Sequence, residues 1–207
     1  MPKVTSEYRA ERRAHIMAAA RRCFVREGFH ASSMQDLVEE AGMSSGAVYR
    51  YFASKDAVIE AIAAENLDQV VAVLARAIGE GASPQAALAA VLEFVTTRHV
   101  QDGFAAIAVL VWSEALRNPA LAAHLRDAIA TALATLSGKA LAAPDGGADD
   151  ARTDDPDGEP TALADVLLCV LPGYLMRLAL GGSEAVANIP GAVEKVLSVW
   201  VRSPAHT

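Results

Sequence analysis

The residues best suited to chemistry lie in one short run, Ser44-Ser45-Gly46-Ala47-Val48-Tyr49-Arg50-Tyr51. Four small residues open the run. A short helix starting there offers unpaired backbone N–H groups and the positive end of its dipole, which suit a phosphate or a base edge. Tyr49, Arg50 and Tyr51 follow as projecting groups that can read or anchor. Arg50 fits either guanine O6/N7 or a phosphate, and the spacing does not choose between them. Signatures of catalysis are missing from the sequence: it has no H-E-x-x-H, no G-x-S-x-G and no P-loop. Glu114 and Arg117 sit at i, i+3, the ordinary spacing of a helical salt bridge. The histidines (His15, His30, His99, His124, His206) show no metal-ligand spacing. The expectation is a binding protein that is not an enzyme and needs no metal and no cofactor.

Helices must position this run. Ile16, Ala19, Ala20, Cys23 and Phe24 recur at helical spacing, which predicts a first helix over Arg9–Glu27. Gly28 should end it in the left-handed region, with Phe29 packing back on Phe24. Ser32-Ser33-Met34-Gln35 reads as an S-x-x-Q capping box for a second helix, whose inner face is Met34, Leu37, Val38 and Ala41. Gly42 stops that helix and Ser44 caps a third over Ser45–Tyr51, with Val48 and Phe52 inward. Two helices joined by a tight glycine turn make a helix-turn-helix over residues 33–52.

Composition agrees with an all-α chain. Of 207 residues 44 are alanine, the best helix former and a poor strand former. With 53% hydrophobic and 21% charged residues, the chain carries enough apolar surface to fold. No apolar stretch approaches the roughly 20 residues a membrane span needs. The first twenty residues lack a signal-peptide core, and the expected location is cytoplasmic. Cys23 and Cys169 read as two buried, reduced thiols, with a redox sensor as the competing reading. Charge divides along the chain. Residues 1–56 hold nine Lys/Arg against seven acids, whereas residues 57–207 hold nine against eighteen. The N-terminal part is therefore the one suited to a polyanion.

Residues 16–62 resemble the DNA-binding domain of the TetR family of transcriptional repressors. The resemblance is carried by Ala19-Ala20, Phe24, Gly28-Phe29, Ser32-Ser33, Ala41-Gly42-Met43-Ser44, Gly46, Tyr49, Tyr51-Phe52 and Ser54-Lys55-Asp56. The segment departs from the family pattern at Val38-Glu39-Glu40 and in having Tyr51 where histidine is frequent. The resemblance implies a three-helix head over residues 10–70 on a helical ligand-binding and dimerisation body over 71–207. It implies phosphate contacts from Ser33, Ser44, Tyr49, Tyr51 and Lys55, and base or phosphate contacts from Ser45, Gly46, Ala47 and Arg50. The implied function is a ligand-responsive regulator, most simply a repressor, that binds palindromic operator DNA as a homodimer and is released by a small, mainly apolar effector. A non-switching DNA-binding dimer is the alternative.

The body carries no comparable motif. The pattern predicts helices over residues 54–80, from Pro84 to about Val100, over Asp102–Asn118, over Pro119–Ala142, and over Thr161–Leu180 with a break at Pro172-Gly173. Ile189–Val201 closes the fold. Residues 144–160, with seven acids, three glycines and three prolines, read as a disordered surface loop. Pro119–Ala142 and Thr161–Leu180 occupy the places of the family's dimer helices. Residues 54–80 are the expected lever between head and body. Candidate effector-pocket residues are Phe94, His99, Phe104, Trp112, Glu114, Arg117, Tyr174 and Arg177, a few polar groups among apolar ones.

Overall fold

The structure is a computed structural model that describes residues 6–136, 159–193 and 195. It comprises α1 (Ser6–Ala31), α2 (Met34–Ala41), α3 (Ser45–Tyr49), α4 (Lys55–Gly79), α5 (Pro84–Asp102), α6 (Phe104–Ala115), α7 (Pro119–Leu136) and α8 (Glu159–Gly181), then a 3-10 turn at Ser183–Val186. No strand occurs among the described residues, so the fold is all-α.

Two apolar cores organise it. The first joins Ile16, Met17, Ala20, Cys23 and Phe24 of α1 to Leu37 and Val38 of α2, Val48 of α3, and Val58, Ile59, Ile62 and Ala63 of α4. Ile107 and Val111 of α6 and Leu121 of α7 complete it, so the head core extends into the body helices. The second core gathers Leu74 of α4, Leu88, Val91, Leu92 and Val95 of α5, Phe104 and Ala108 of α6, Leu136 of α7, and Tyr174 and Leu178 of α8. Helix α4 thus serves the head through Ala63 and the body from Val70 onward.

Local chemistry explains the element ends, and some differ from expectation. Gly28 has φ 79 and ψ 172, a positive φ outside the left-handed helical well, so the chain bends there while helical turns resume as far as Ala31. Phe29 does meet Phe24 edge-on, with centroids 4.9 Å apart. The cap of α2 is Ser33, and its box partner is Asp36 rather than Gln35, because N3 lies three residues beyond the cap. Gln35 instead reaches Glu39. Helix α3 ends at Tyr49, which leaves Arg50 and Tyr51 in the following turn. Helix α8 runs through Pro172 without a break, and it starts at Glu159, inside the stretch expected to be loop. The remainder of that loop, residues 144–158, lies outside the described residues, as do residues 137–142 of the expected Pro119–Ala142 helix. Cys23 is buried as expected, but Cys169 on α8 is exposed. The apolar stripe of α7 also differs from expectation: Leu121 and Leu136 are buried within the chain itself.

Charged groups pin α1 to its neighbours. Glu40 accepts hydrogen bonds from Arg22 Nε at 2.7 Å and Arg26 Nη1 at 3.3 Å. These two guanidinium groups hold its carboxyl below the usual carboxylate range. Asp36 is lowered likewise, first by the Ser33 hydroxyl and then by the Ser33 N–H. Arg21, only 4% exposed, donates from Nη2 to Glu65 Oε2 and Asn66 Oδ1, each at 2.8 Å. At the seam between head and body, Gly103 has φ 74 and ψ 24 beneath Val25. A Cβ built on Gly103 would stand 2.6 Å from Val25 Cγ2.

Two outcomes follow. Gly103→Ala adds left-handed strain and a crowded methyl, and should cost about 1–2 kcal/mol in urea unfolding. The depressed carboxyls stabilise the head above their unfolded pKa near ~4, and that contribution disappears as pH falls through their lower folded values. Melting temperature followed from pH 6 to pH 3 should fall less steeply in Glu40→Gln than in the parent chain.

Candidate nucleic-acid interface and body cavities

Gly42 makes the turn of the helix-turn-helix at φ 60 and ψ 31, donating its N–H to Glu39 O. Ser44 follows in extended conformation and takes the cap position of α3, yet its hydroxyl makes no capping bond. The helix is held mainly by Val48. That side chain is fully buried, and its carbonyl accepts from Tyr51 N at 2.9 Å and Phe52 N at 3.1 Å. The rest of the segment stands outward. Ser44, Ser45, Gly46 and Arg50 are exposed, Ala47 is half-buried, and Tyr49 is 50% exposed. Tyr51 is half-buried against the head core, so of the two tyrosines Tyr49 projects more freely. Among the described residues, the side chains of Ser44, Ser45, Tyr49, Arg50 and Tyr51 have no internal hydrogen-bond partner.

Two expected phosphate donors are placed differently. Lys55 Nζ donates to Phe29 O at 2.6 Å and Ser32 O at 2.7 Å, bracing the chain between α1 and α2. Its ammonium keeps a single N–H for anything else. The Ser33 hydroxyl donates to Asp36 Oδ2 at 2.7 Å and accepts from Asp36 N at 3.3 Å. The Ser33 N–H also donates to that carboxylate, which would itself repel a phosphate. Sequence reading missed the first turns of α1. There Arg13 lies over the Phe52 ring at 5.1 Å and Arg12 donates to Tyr8 Oη at 3.0 Å.

Described residues of the body line several cavities. One of about 340 Å3 is walled by α4, α6, α7 and α8, including Leu67, Val71, Trp112, Leu125, Asp165 and Cys169. A second, of about 490 Å3, lies between α6 and α8 and shares Trp112 and Pro172 with the first. A third, of about 650 Å3, is more polar and takes Glu93, Thr96 and Tyr174. Of the expected pocket residues, therefore, Trp112 and Tyr174 line cavities, and the Tyr174 hydroxyl lies 2.7 Å from Thr96 Oγ1. Phe94 and Phe104 instead pack edge-on with centroids 5.9 Å apart, and Phe104 is a core residue. Glu114 and Arg117 turn toward the head, where His30 Nε2 lies 3.4 Å from Glu114 Oε2 and 2.9 Å from Arg117 Nη2. Arg177 donates to Ala185 O at 2.8 Å and secures the 3-10 turn. His99 is half-buried, its Nδ1 without a partner among the described residues. Asp165, Cys169 and Pro172 were not anticipated as cavity residues. Asp165 and Cys169 are exposed and so stand at the rim of the first cavity, with Pro172 half-buried behind them.

Comparison with known proteins supports this geometry. Residues 16–62 match the family model described as bacterial regulatory proteins, tetR family. A transcriptional regulator of Bacillus subtilis, YfiR, is 44% identical over 68 residues, which are 33% of each chain. The match thus spans about a third of the length of that relative. The transcriptional repressor AcnR of Corynebacterium jeikeium is 27% identical over the whole of both chains. The structure of GusR from Salmonella enterica superposes with a TM-score of 0.71 at 27% identity, covering 97% of this chain and all of that one. With its helix-turn-helix head and its all-α body, the chain is similar to the tetR family of bacterial regulatory proteins, whose model matches residues 16–62.

Proposed function

We propose that the protein is a ligand-responsive transcriptional repressor that binds palindromic DNA as a homodimer and is released by a small, mainly apolar effector. One observation carries the DNA half of this reading. The head engages Ser33, Ser54 and Lys55 in internal hydrogen bonds but leaves Ser44, Ser45, Tyr49 and Arg50 exposed and unpartnered among the described residues. Polar side chains and a bare helix start on one rigid face are what a groove-reading helix requires. Ser44, Tyr49 and Tyr51 take the phosphate role, with Ser45, Gly46, Ala47 and Arg50 at the bases.

The dimer reading rests on α8. Cys169, Gly173, Met176 and Leu180 form an exposed stripe at helical spacing, with Met176 45% and Leu180 82% exposed. A stripe of that kind calls for a partner surface. Since Leu121 and Leu136 of α7 are already buried within the chain, α8 is the face we assign to the second copy.

The switch would use α6 as well as α4. Ile107 and Val111 of α6 lie in the head core, whereas Ala108 and Trp112 line a cavity. A ligand that displaces Trp112 therefore acts on a helix that the head cannot ignore. Release requires tighter binding to a conformation whose two heads no longer match the groove spacing, and operator DNA must weaken the ligand by the same factor.

DNA fragments selected by the purified protein, followed by fluorescence anisotropy, test the interface. Arg50→Ala should cost about 1–3 kcal/mol and relax preference at one base pair. Gly46 has open space around it and ordinary helical backbone. Gly46→Ala should therefore stabilise the head by about 0.5–1 kcal/mol while weakening DNA binding, since the added methyl stands where the duplex approaches. A more stable head with unchanged DNA affinity would remove Gly46 from the interface. In sedimentation experiments Met176→Glu should shift the protein from dimer to monomer; an unaltered dimer would place the second copy elsewhere.

A further inference from the structure

We propose that the cavity between α4, α6, α7 and α8 takes a lipophilic cation, an ammonium group on an apolar body, with Asp165 as counter-charge and Trp112 as the aromatic face. This assignment rests on the effector reading above and adds the chemical class.

Its walls are apolar on nearly every side, including Leu67, Val71, Leu125 and Ala132. Among the described lining residues Asp165 carries the single formal charge. Asp165 is exposed at the rim of the cavity, and among the described residues its carboxylate has no salt-bridge partner and no hydrogen bond. A carboxylate at the mouth of an apolar chamber attracts a ligand that brings a positive charge, through a solvent-screened ion pair. The indole of Trp112 offers a π-face of the kind that attracts ammonium groups.

The surroundings point the same way. Residues 57–207 hold eighteen acids against nine basic residues, so the body's field draws cations and repels anions. An anionic ligand would meet Asp165 with no cation among the described lining residues to offset it. A polyhydroxylated ligand would leave hydroxyl groups unpaired against leucine and valine. The cavity volume of about 340 Å3 lies within the range of small-molecule sites, so the apolar body is small.

The test uses a matched pair of probes, benzyltrimethylammonium and its neutral carbon isostere neopentylbenzene. Both are titrated calorimetrically into the full chain and into Asp165→Asn, Trp112→Leu and Ala86→Ser. The last is a control lining a different cavity. The ammonium should bind the parent chain and lose about fivefold in Asp165→Asn, the scale of one solvent-screened ion pair. It should also weaken in Trp112→Leu and with added salt, while the isostere is insensitive to Asp165→Asn and Ala86→Ser changes neither probe. Ammonium binding unaffected by Asp165→Asn would overturn the assignment of class, even if both probes bind. Failure of the ammonium to bind the parent chain would overturn it outright. Anisotropy with operator DNA separates this from the switching reading. Asp165-dependent binding that leaves DNA affinity unchanged upholds the cation site and removes the switch.

Discussion

Everything in this molecule depends on α6 belonging to two cores at once. Ile107 and Val111 are sealed among head residues, and Phe104 and Ala108 among body residues, on one twelve-residue helix. Burial of large apolar side chains on both sides means that α6 cannot shift without repacking one core or the other. Interior packing is bistable rather than continuously deformable, so a displacement at the cavity wall is transmitted as a change of arrangement. The contact of Gly103 with Val25 and the polar group of His30, Glu114 and Arg117 mark the two ends of that shared seam.

The head divides its polar residues between two tasks. Arg21, Arg22, Arg26, Ser33, Ser54 and Lys55 bind neighbouring helices or caps to one another. Ser44, Ser45, Tyr49 and Arg50 do nothing for the fold that the structure reveals. Arg21 joins the two tasks indirectly, because it ties α1 to α4 through Glu65 and Asn66 near the level where the head gives way to the body.

Most of the head was legible in the sequence, because its helices are short, amphipathic and bounded by residues with fixed uses. Gly42, Ser33 and Ser54 all mark ends where the structure puts them. The role of Lys55 was not legible. Its carbonyl partners at Phe29 and Ser32 lie more than twenty positions away, and no spacing rule joins a lysine to a backbone oxygen. The body was harder for a different reason. Alanine-rich helices are apolar on most faces, so periodicity gives a helix without saying which side meets which neighbour. Glu114 and Arg117 were rightly read as a possible pair, yet their common contact with His30 across the head–body seam could not be read from one helix. Cys169 passed for a buried thiol because α8 is apolar around it.

Pro172 gives α8 a mechanical character of its own. Proline has no N–H, so the carbonyl four residues earlier lacks its helical rung, and the ring crowds that carbonyl. The missing rung falls beside the wall shared by the two apolar cavities, since Pro172 lines both. A helix bends most cheaply where its ladder is already interrupted. The chamber therefore has one compliant wall, α8, facing α4 and α7, whose helices carry no internal proline. On the proposed reading, guests of different length would be accommodated by flexing α8 rather than by unpacking leucines, so the site would sort molecules weakly by size and more sharply by charge.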